Sequence, residues 1–280
     1  MKKQFPPAMA MLLLAGFMLA APAKPLVQDN SLPAELALIM VFADKIQKNP
    51  QGYWEAELRN GIEMVYIPAG EFMMGSPRDE YGREPDEGPV HRVFTKGIWI
   101  GKYEVTRTFW QAVMGGDAVK PEERDLPQGN VSYQDIQVFL RALQKKSGLN
   151  FRLPTEGEWE KCCRGGNPAA LYGPLDEIAW QAGNSDGKAH PVGTKKPNGF
   201  GLFDMLGNVW EWCSDWYGNV YYGASPILNP TGPSRGERRV MRGGGFLHGG
   251  NYLRSAHRND QDPAISKPHF GFRLVLDPSL

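Results

Sequence analysis

One residue in five of this chain is glycine or proline, 33 and 23 of 280, and that density caps the length of every regular element. Glycine weakens helix and strand interiors, and proline removes a backbone donor. Long uninterrupted helices are therefore excluded, and much of the backbone must run as turns. Disorder is excluded as well: 41% of residues are hydrophobic and eight tryptophans are spread along the sequence, which is apolar surface enough for a core. No segment repeats, and nothing between Gly61 and Val275 reads as a linker, so one loop-rich domain is expected.

The start of the chain differs. Lys2 and Lys3 precede an apolar run from Met9 to Ala21 that ends in Ala21-Pro22-Ala23, the pattern of a secretory signal peptide over residues 1–23. The run is too short to span a bilayer, so no membrane anchor is expected after cleavage. Export to the periplasm follows. With 31 basic against 31 acidic residues the chain offers no footprint for nucleic acid. Cys162, Cys163 and Cys213 are an odd number, so at least one thiol is free or pairs outside the chain. Either of the first two could reach Cys213, and buried inert thiols are the alternative.

Residues 24–60 form an N-terminal extension in which Leu36, Ile39, Met40, Ala43 and Ile46 stand at helical spacing after Pro33, so a helix over 32–48 is expected. From Glu63 the period becomes that of strands. A loop carrying Asp79, Glu80, Glu84, Asp86 and Glu87 is expected at the surface. Thr106, Ser132 and Thr155 are N-cap residues before apolar helical runs, the last in a T-x-x-E capping box with Glu158. Beyond Arg164 only Arg239–Arg242 and the run from Phe270 to Val275 read as strands. The fold class is α+β with much irregular chain.

Six motifs then fall in one order: Glu63-Met64-Val65-Tyr66-Ile67-Pro68-Ala69-Gly70, Tyr103-Glu104-Val105-Thr106, Phe151-Arg152-Leu153-Pro154-Thr155-Glu156, Asn198-Gly199-Phe200-Gly201-Leu202-Phe203-Asp204, Gly207-Asn208-Val209-Trp210-Glu211-Trp212, and Arg242-Gly243-Gly244 with Gly271-Phe272-Arg273. The sequence resembles the formylglycine-generating enzyme, or sulfatase-modifying factor, family over residues 61–276. The resemblance implies an irregular fold related to C-type lectins with bound structural calcium. It also implies a pair of cysteines, which hold copper in the oxygen-dependent enzymes, shortly after the R-x-G-G segment. Here His248 stands at the first of those positions and Leu253 at the second. A single imidazole and a leucine do not replace two thiolates for a soft metal, so formylglycine generation is disfavoured.

Hard oxygen donors from Asn208, Val209 and Glu211 suit calcium, and the resemblance places calcium on that segment. Asn184 begins a second oxygen-rich loop that an Asn/Asp turn explains equally well. No histidine pair has the spacing of a zinc site. If the family topology holds, the polar run after the R-x-G-G segment faces the cleft. Asp260, His248 and His257 are then the candidate acid-base residues, in that order. Arg254 and Arg258 offer planar forks to an anionic or carbonyl-bearing substrate, with Asn251, Tyr252 and Trp212 around it. No G-x-G-x-x-G fingerprint supports a nucleotide cofactor, so the redox partner is open.

The function expected from this resemblance is that of an exported tailoring enzyme acting on a small peptide-like substrate, most like the cysteine-less members that mature the siderophore pyoverdine by oxidising a dihydro chromophore. The alternative is a lectin-like module that binds without catalysis. Lesser alternatives are an assembly factor for another periplasmic enzyme and an inactive relative of the formylglycine generators.

Overall fold

The computed structural model describes residues 26–27 and 33–278, so the expected signal peptide lies outside the described residues. In chain order the elements are β1 (Leu26–Val27), a 3-10 turn (Ala34–Val41), β2 (Ala43–Lys48), β3 (Trp54–Leu58), β4 (Glu63–Ile67), β5 (Gly70–Met74), β6 (His91–Thr95) and β7 (Ile98–Gly101). Then come α1 (Arg107–Met114), α2 (Tyr133–Ser147), β8 (Phe151–Arg152), α3 (Glu156–Arg164) and a single turn, α4 (Leu175–Ile178). The last strands are β9 (Trp210–Trp216), β10 (Arg239–Arg242), β11 (Asn259–Gln261), β12 (Phe270–Gly271) and β13 (Val275–Leu276). A seven-stranded sheet runs β1-β2-β3-β4-β7-β13-β8, a four-stranded sheet runs β11-β10-β9-β12, and β5 and β6 form a ribbon.

The caps behave as local chemistry dictates. Thr106 Oγ1 accepts from Phe109 N at 3.2 Å. Ser132 with Asp135 and Thr155 with Glu158 close reciprocal capping boxes. Gly148, at φ +73°, ends α2 in the left-handed conformation that glycine adopts without penalty. The inner face of α2 carries Ile136, Phe139 and Leu143 into the core, where Phe139 stacks on Trp110 at 4.8 Å and meets Phe272 edge-on at 5.4 Å.

Two expected elements differ, and β9 and β11 form beyond Arg164 where no strand was expected. The helix over 32–48 ends at Val41, and Ala43–Lys48 is strand β2 in the large sheet. A register irregularity between Ala43 and Lys45 breaks the two-residue alternation, leaving Ala43 and Ile46 both buried. A bulge of this kind imitates a helical spacing. The run from Phe270 to Val275 is not one strand: β12 pairs parallel with β9, and β13 pairs with β7 and β8. The chain crosses from one sheet to the other through Arg273, which is fully buried and donates to Glu211, Gly101 O and Phe203 O.

Helix α3 is buried along its whole length although five of its nine residues are charged. Glu156 receives Arg258, Glu160 receives Arg164 and Arg242, and Glu158 receives Arg152. Buried charges persist only when paired, and here arginines from several segments supply the pairs. All three cysteines are buried and free. Burial pushes the Cys163 thiol up to about 12 and raises Cys162 and Cys213 as well, so these are inert thiols.

Candidate active site

The segment after β10 is shaped by glycine. Gly243 and Gly244 take φ +96° and +78°, and a Cβ on Gly244 would lie 2.8 Å from Leu253 Cδ1. Leu253 is thus a core residue, fully buried and packed on the turn. His248 follows on a partly exposed turn, its backbone N–H donating to Gly245 O at 2.8 Å. Strand β12 brings in His269 from the far end of the chain, because Trp210 N donates to His269 O at 2.8 Å as β12 pairs with β9.

The result is a cluster of rings. His248 lies 5.2 Å from His269 and 5.4 Å from Tyr252. Trp210 sits edge-on to His248 at 5.3 Å, and His257 lies 5.3 Å from Tyr252 beneath them. Tyr252 and Leu247 are 45% and 50% exposed, so the cluster reaches solvent. Burial lowers the pKa of His248 and pushes that of His269 down to about 4. Both imidazoles are therefore neutral at pH 7, ready to accept a proton or a hydrogen bond. His269 Nδ1 is buried with no hydrogen-bond partner among the described residues.

Several sequence-based assignments change. Arg254 and Arg258 are buried, and their forks are occupied. Arg254 donates to Glu87 at 2.8 Å, Glu80 at 2.6 Å and Gly82 O at 2.6 Å; Arg258 donates to Glu156 at 2.7 and 2.9 Å. They hold the chain rather than a substrate. The acidic loop is correspondingly not all surface: Glu87 is fully buried, and the Arg254 guanidinium, offsetting the effect of burial, holds its carboxyl well below the usual carboxylate range. Trp212 is a core residue whose Nε1 donates to Val131 O. Asp260 lies on edge strand β11 and accepts from Arg238, and no hydrogen bond among the described residues joins it to the histidines. His257 is buried at 3% exposure beside Glu87 and Arg254, 3.6 and 3.5 Å from its Nδ1. It belongs to the support of the cluster. Asn251 stays exposed, its carbonyl accepting from Arg254.

The residues assigned to calcium are also occupied. Both oxygens of Glu211 accept from Arg273 at 2.6 Å, and one accepts from Trp159 Nε1. Asn208 Oδ1 accepts from His190 N while Nδ2 donates to Glu104, and Val209 N also donates to Glu104. Asn184 braces a turn through Gln181 N and Ala179 O. Near this segment Asp204 Oδ1 is the buried oxygen without a partner among the described residues. Calcium takes six to eight oxygens, and here the side-chain oxygens of Asn208, Glu211 and Asn184 accept from protein donors.

His269 escaped the sequence reading. Its nearness to the Gly271-Phe272-Arg273 motif was the available signal, but the parallel pairing that carries it to Trp210 is a long-range event.

With this geometry in place, residues 51–278 match the sulfatase-modifying factor enzyme 1-like domain. The chain belongs to that family. Among its family relatives, the formylglycine-generating enzyme of Streptomyces coelicolor is 31% identical, over 80% of this chain and 92% of its own length. PvdO from Pseudomonas aeruginosa superimposes with a TM-score of 0.73 at 30% identity, covering 82% of this chain and 100% of PvdO. The Treponema denticola variable protein 1 follows at 0.70 and 30%, over 78% of this chain and 95% of that one. The family fold is thus the irregular α+β domain expected from the motifs.

Proposed function

We propose that this family member is an exported tailoring enzyme that oxidises a peptide siderophore precursor, the dihydropyoverdine type of chromophore. Two electrons and two protons leave the chromophore, and dioxygen accepts them to give hydrogen peroxide. The observation that carries this reading is the His248–His269–Tyr252 cluster at the position where formylglycine generators keep their cysteines. The likeness that spans all of PvdO supports it, as does the secretory pattern of residues 1–23.

In this reading the flat chromophore rests against the exposed faces of Tyr252 and Leu247, where apolar contact favours a ring system. His248, neutral at pH 7, accepts a proton from the dihydro ring, and His269 beside it provides a second neutral base. Because both pKa values are lowered, the bases stay competent as pH falls past the ordinary imidazole value of about 6.5. The acid limb of kcat/KM is expected below that pH. A limb at or above it would show that neither imidazole is the base.

Purified protein incubated with dihydro precursor in air should yield a product two hydrogens lighter by mass. The same preparation should leave a sulfatase-type cysteine peptide unconverted, with or without copper, since His248 and Leu253 carry no thiol and the three cysteines are buried. Formation of formylglycine would overturn the reading. Stoichiometric binding of the precursor without conversion would move the protein to the non-catalytic module.

A further inference from the structure

A cavity of about 580 Å³ opens at a place that shares no lining residue with the histidine cluster. That volume falls within the range of small-ligand sites, roughly 300–1,000 Å³. Its walls are apolar: Phe72 and Met73 from β5, Val90 ahead of β6, and Pro168 and Phe200 from the loops beyond α3. Met73 and Val90 are 53% and 38% exposed, so a ligand body would cover apolar surface now in water.

The floor is cationic. Lys161, 8% exposed, donates to Pro68 O, Gly70 O and Thr95 Oγ1 at 2.8, 3.3 and 3.0 Å. None of these acceptors carries a charge. Arg164 beside it shares the single carboxylate of Glu160 with Arg242. Glu71 on the rim sits 3.7 Å from Arg92, both of them exposed. The C-terminal dipole of α3 offsets only about half a charge, and the carboxylate whose field reaches Lys161, Glu158, is already paired with Arg152, so the partly desolvated floor keeps a net positive potential. Burial lowers its pKa accordingly. Asn167 adds a donor, since its Oδ1 accepts from Ala169 N and its Nδ2 has no partner among the described residues.

We infer that this cavity is a second ligand site, built for a small apolar organic anion. The body of the ligand lies against Phe72, Met73 and Phe200, and its acid group meets Asn167 Nδ2 in the field of Lys161 and Arg164. The donors of both cations are already taken by protein acceptors, so they act through charge rather than contact. That attraction is long-range and weakens with salt.

The probe is 1-anilinonaphthalene-8-sulfonate, an apolar anion followed by its fluorescence, against its neutral counterpart N-phenyl-1-naphthylamine. The full chain should bind one equivalent of the anion, at least tenfold more tightly than the neutral probe at low salt, with the gap closing as salt rises. Met73→Glu, at an exposed wall position, should weaken the anion at least tenfold with an unchanged melting temperature. Val90→Glu, where the chain enters β6, provides the same test should Met73→Glu fold poorly. Equal affinity for the two probes, or wild-type affinity in the folded wall variant, would overturn the inference. Neither readout depends on turnover at the histidine cluster.

Discussion

Glu87→Gln should lower stability by about 3–5 kcal/mol, because it leaves the buried Arg254 guanidinium without its main counter-charge. Glu87 is fully buried, and it also accepts from Ser76 Oγ at 2.7 Å. For a domain of this size each kcal/mol moves the melting temperature by roughly 2–4 °C, so a drop on the order of 6–20 °C is expected in a thermal melt. The pH dependence adds a second check. A carboxyl held well below its ordinary value of 4.5 in the folded state contributes stability above that pH and loses it progressively as pH falls below it. The wild-type and variant curves should therefore converge in acid. A parallel offset from pH 7 down to pH 3 would show that the charge on Glu87 is not what stabilises the loop. The consequence reaches the site, because Arg254 ties Glu80, Gly82 and Glu87 to the chain that carries Tyr252 and His257.

His248→Ala should reduce oxidation of the dihydro precursor by 10²–10⁴-fold, the usual contribution of a positioned acid-base group. Little stability should be lost, since His248 is partly exposed and its ring accepts only long contacts from Trp210 Nε1, at 3.3 and 3.4 Å. His269→Ala should fall in the same direction, as its ring touches His248. Asp260→Ala should keep wild-type turnover, because that carboxylate pairs with Arg238 at the edge of the small sheet. Steady-state kinetics on the three folded variants separates them. Full activity in His248→Ala would remove this cluster from the mechanism, whereas loss in Asp260→Ala alone would restore the order expected from sequence.

The helix starts at Thr106, Ser132 and Thr155 were legible because a cap is a contract between residues three apart. The six motifs were legible as a family for a related reason: each is a short run whose side chains serve one local turn or strand. Burial of the acidic loop was not legible. Five carboxylates among glycines and prolines read as solvated chain, and only the approach of Arg254, 167 residues beyond Glu87, turns one of them inward. The forks of Arg254 and Arg258 misled in the converse way. Their planar forks suggest an anionic or carbonyl-bearing substrate, but the carboxylates they meet belong to the protein.

Sequence alone determined the family, the α+β class, the helix caps, and the replacement of the cysteine pair by His248 and Leu253, since each depends on residue identity or short spacing. Tertiary structure decided which polar residues face one another. His269 joins His248 only because β12 pairs parallel with β9; Glu211 meets Arg273 because the chain crosses between sheets at that point; and Asp260 leaves the site because β11 is an edge strand. Those contacts are set by strand pairing between distant segments, and pairing is a property of the whole packed fold that no local window of sequence contains.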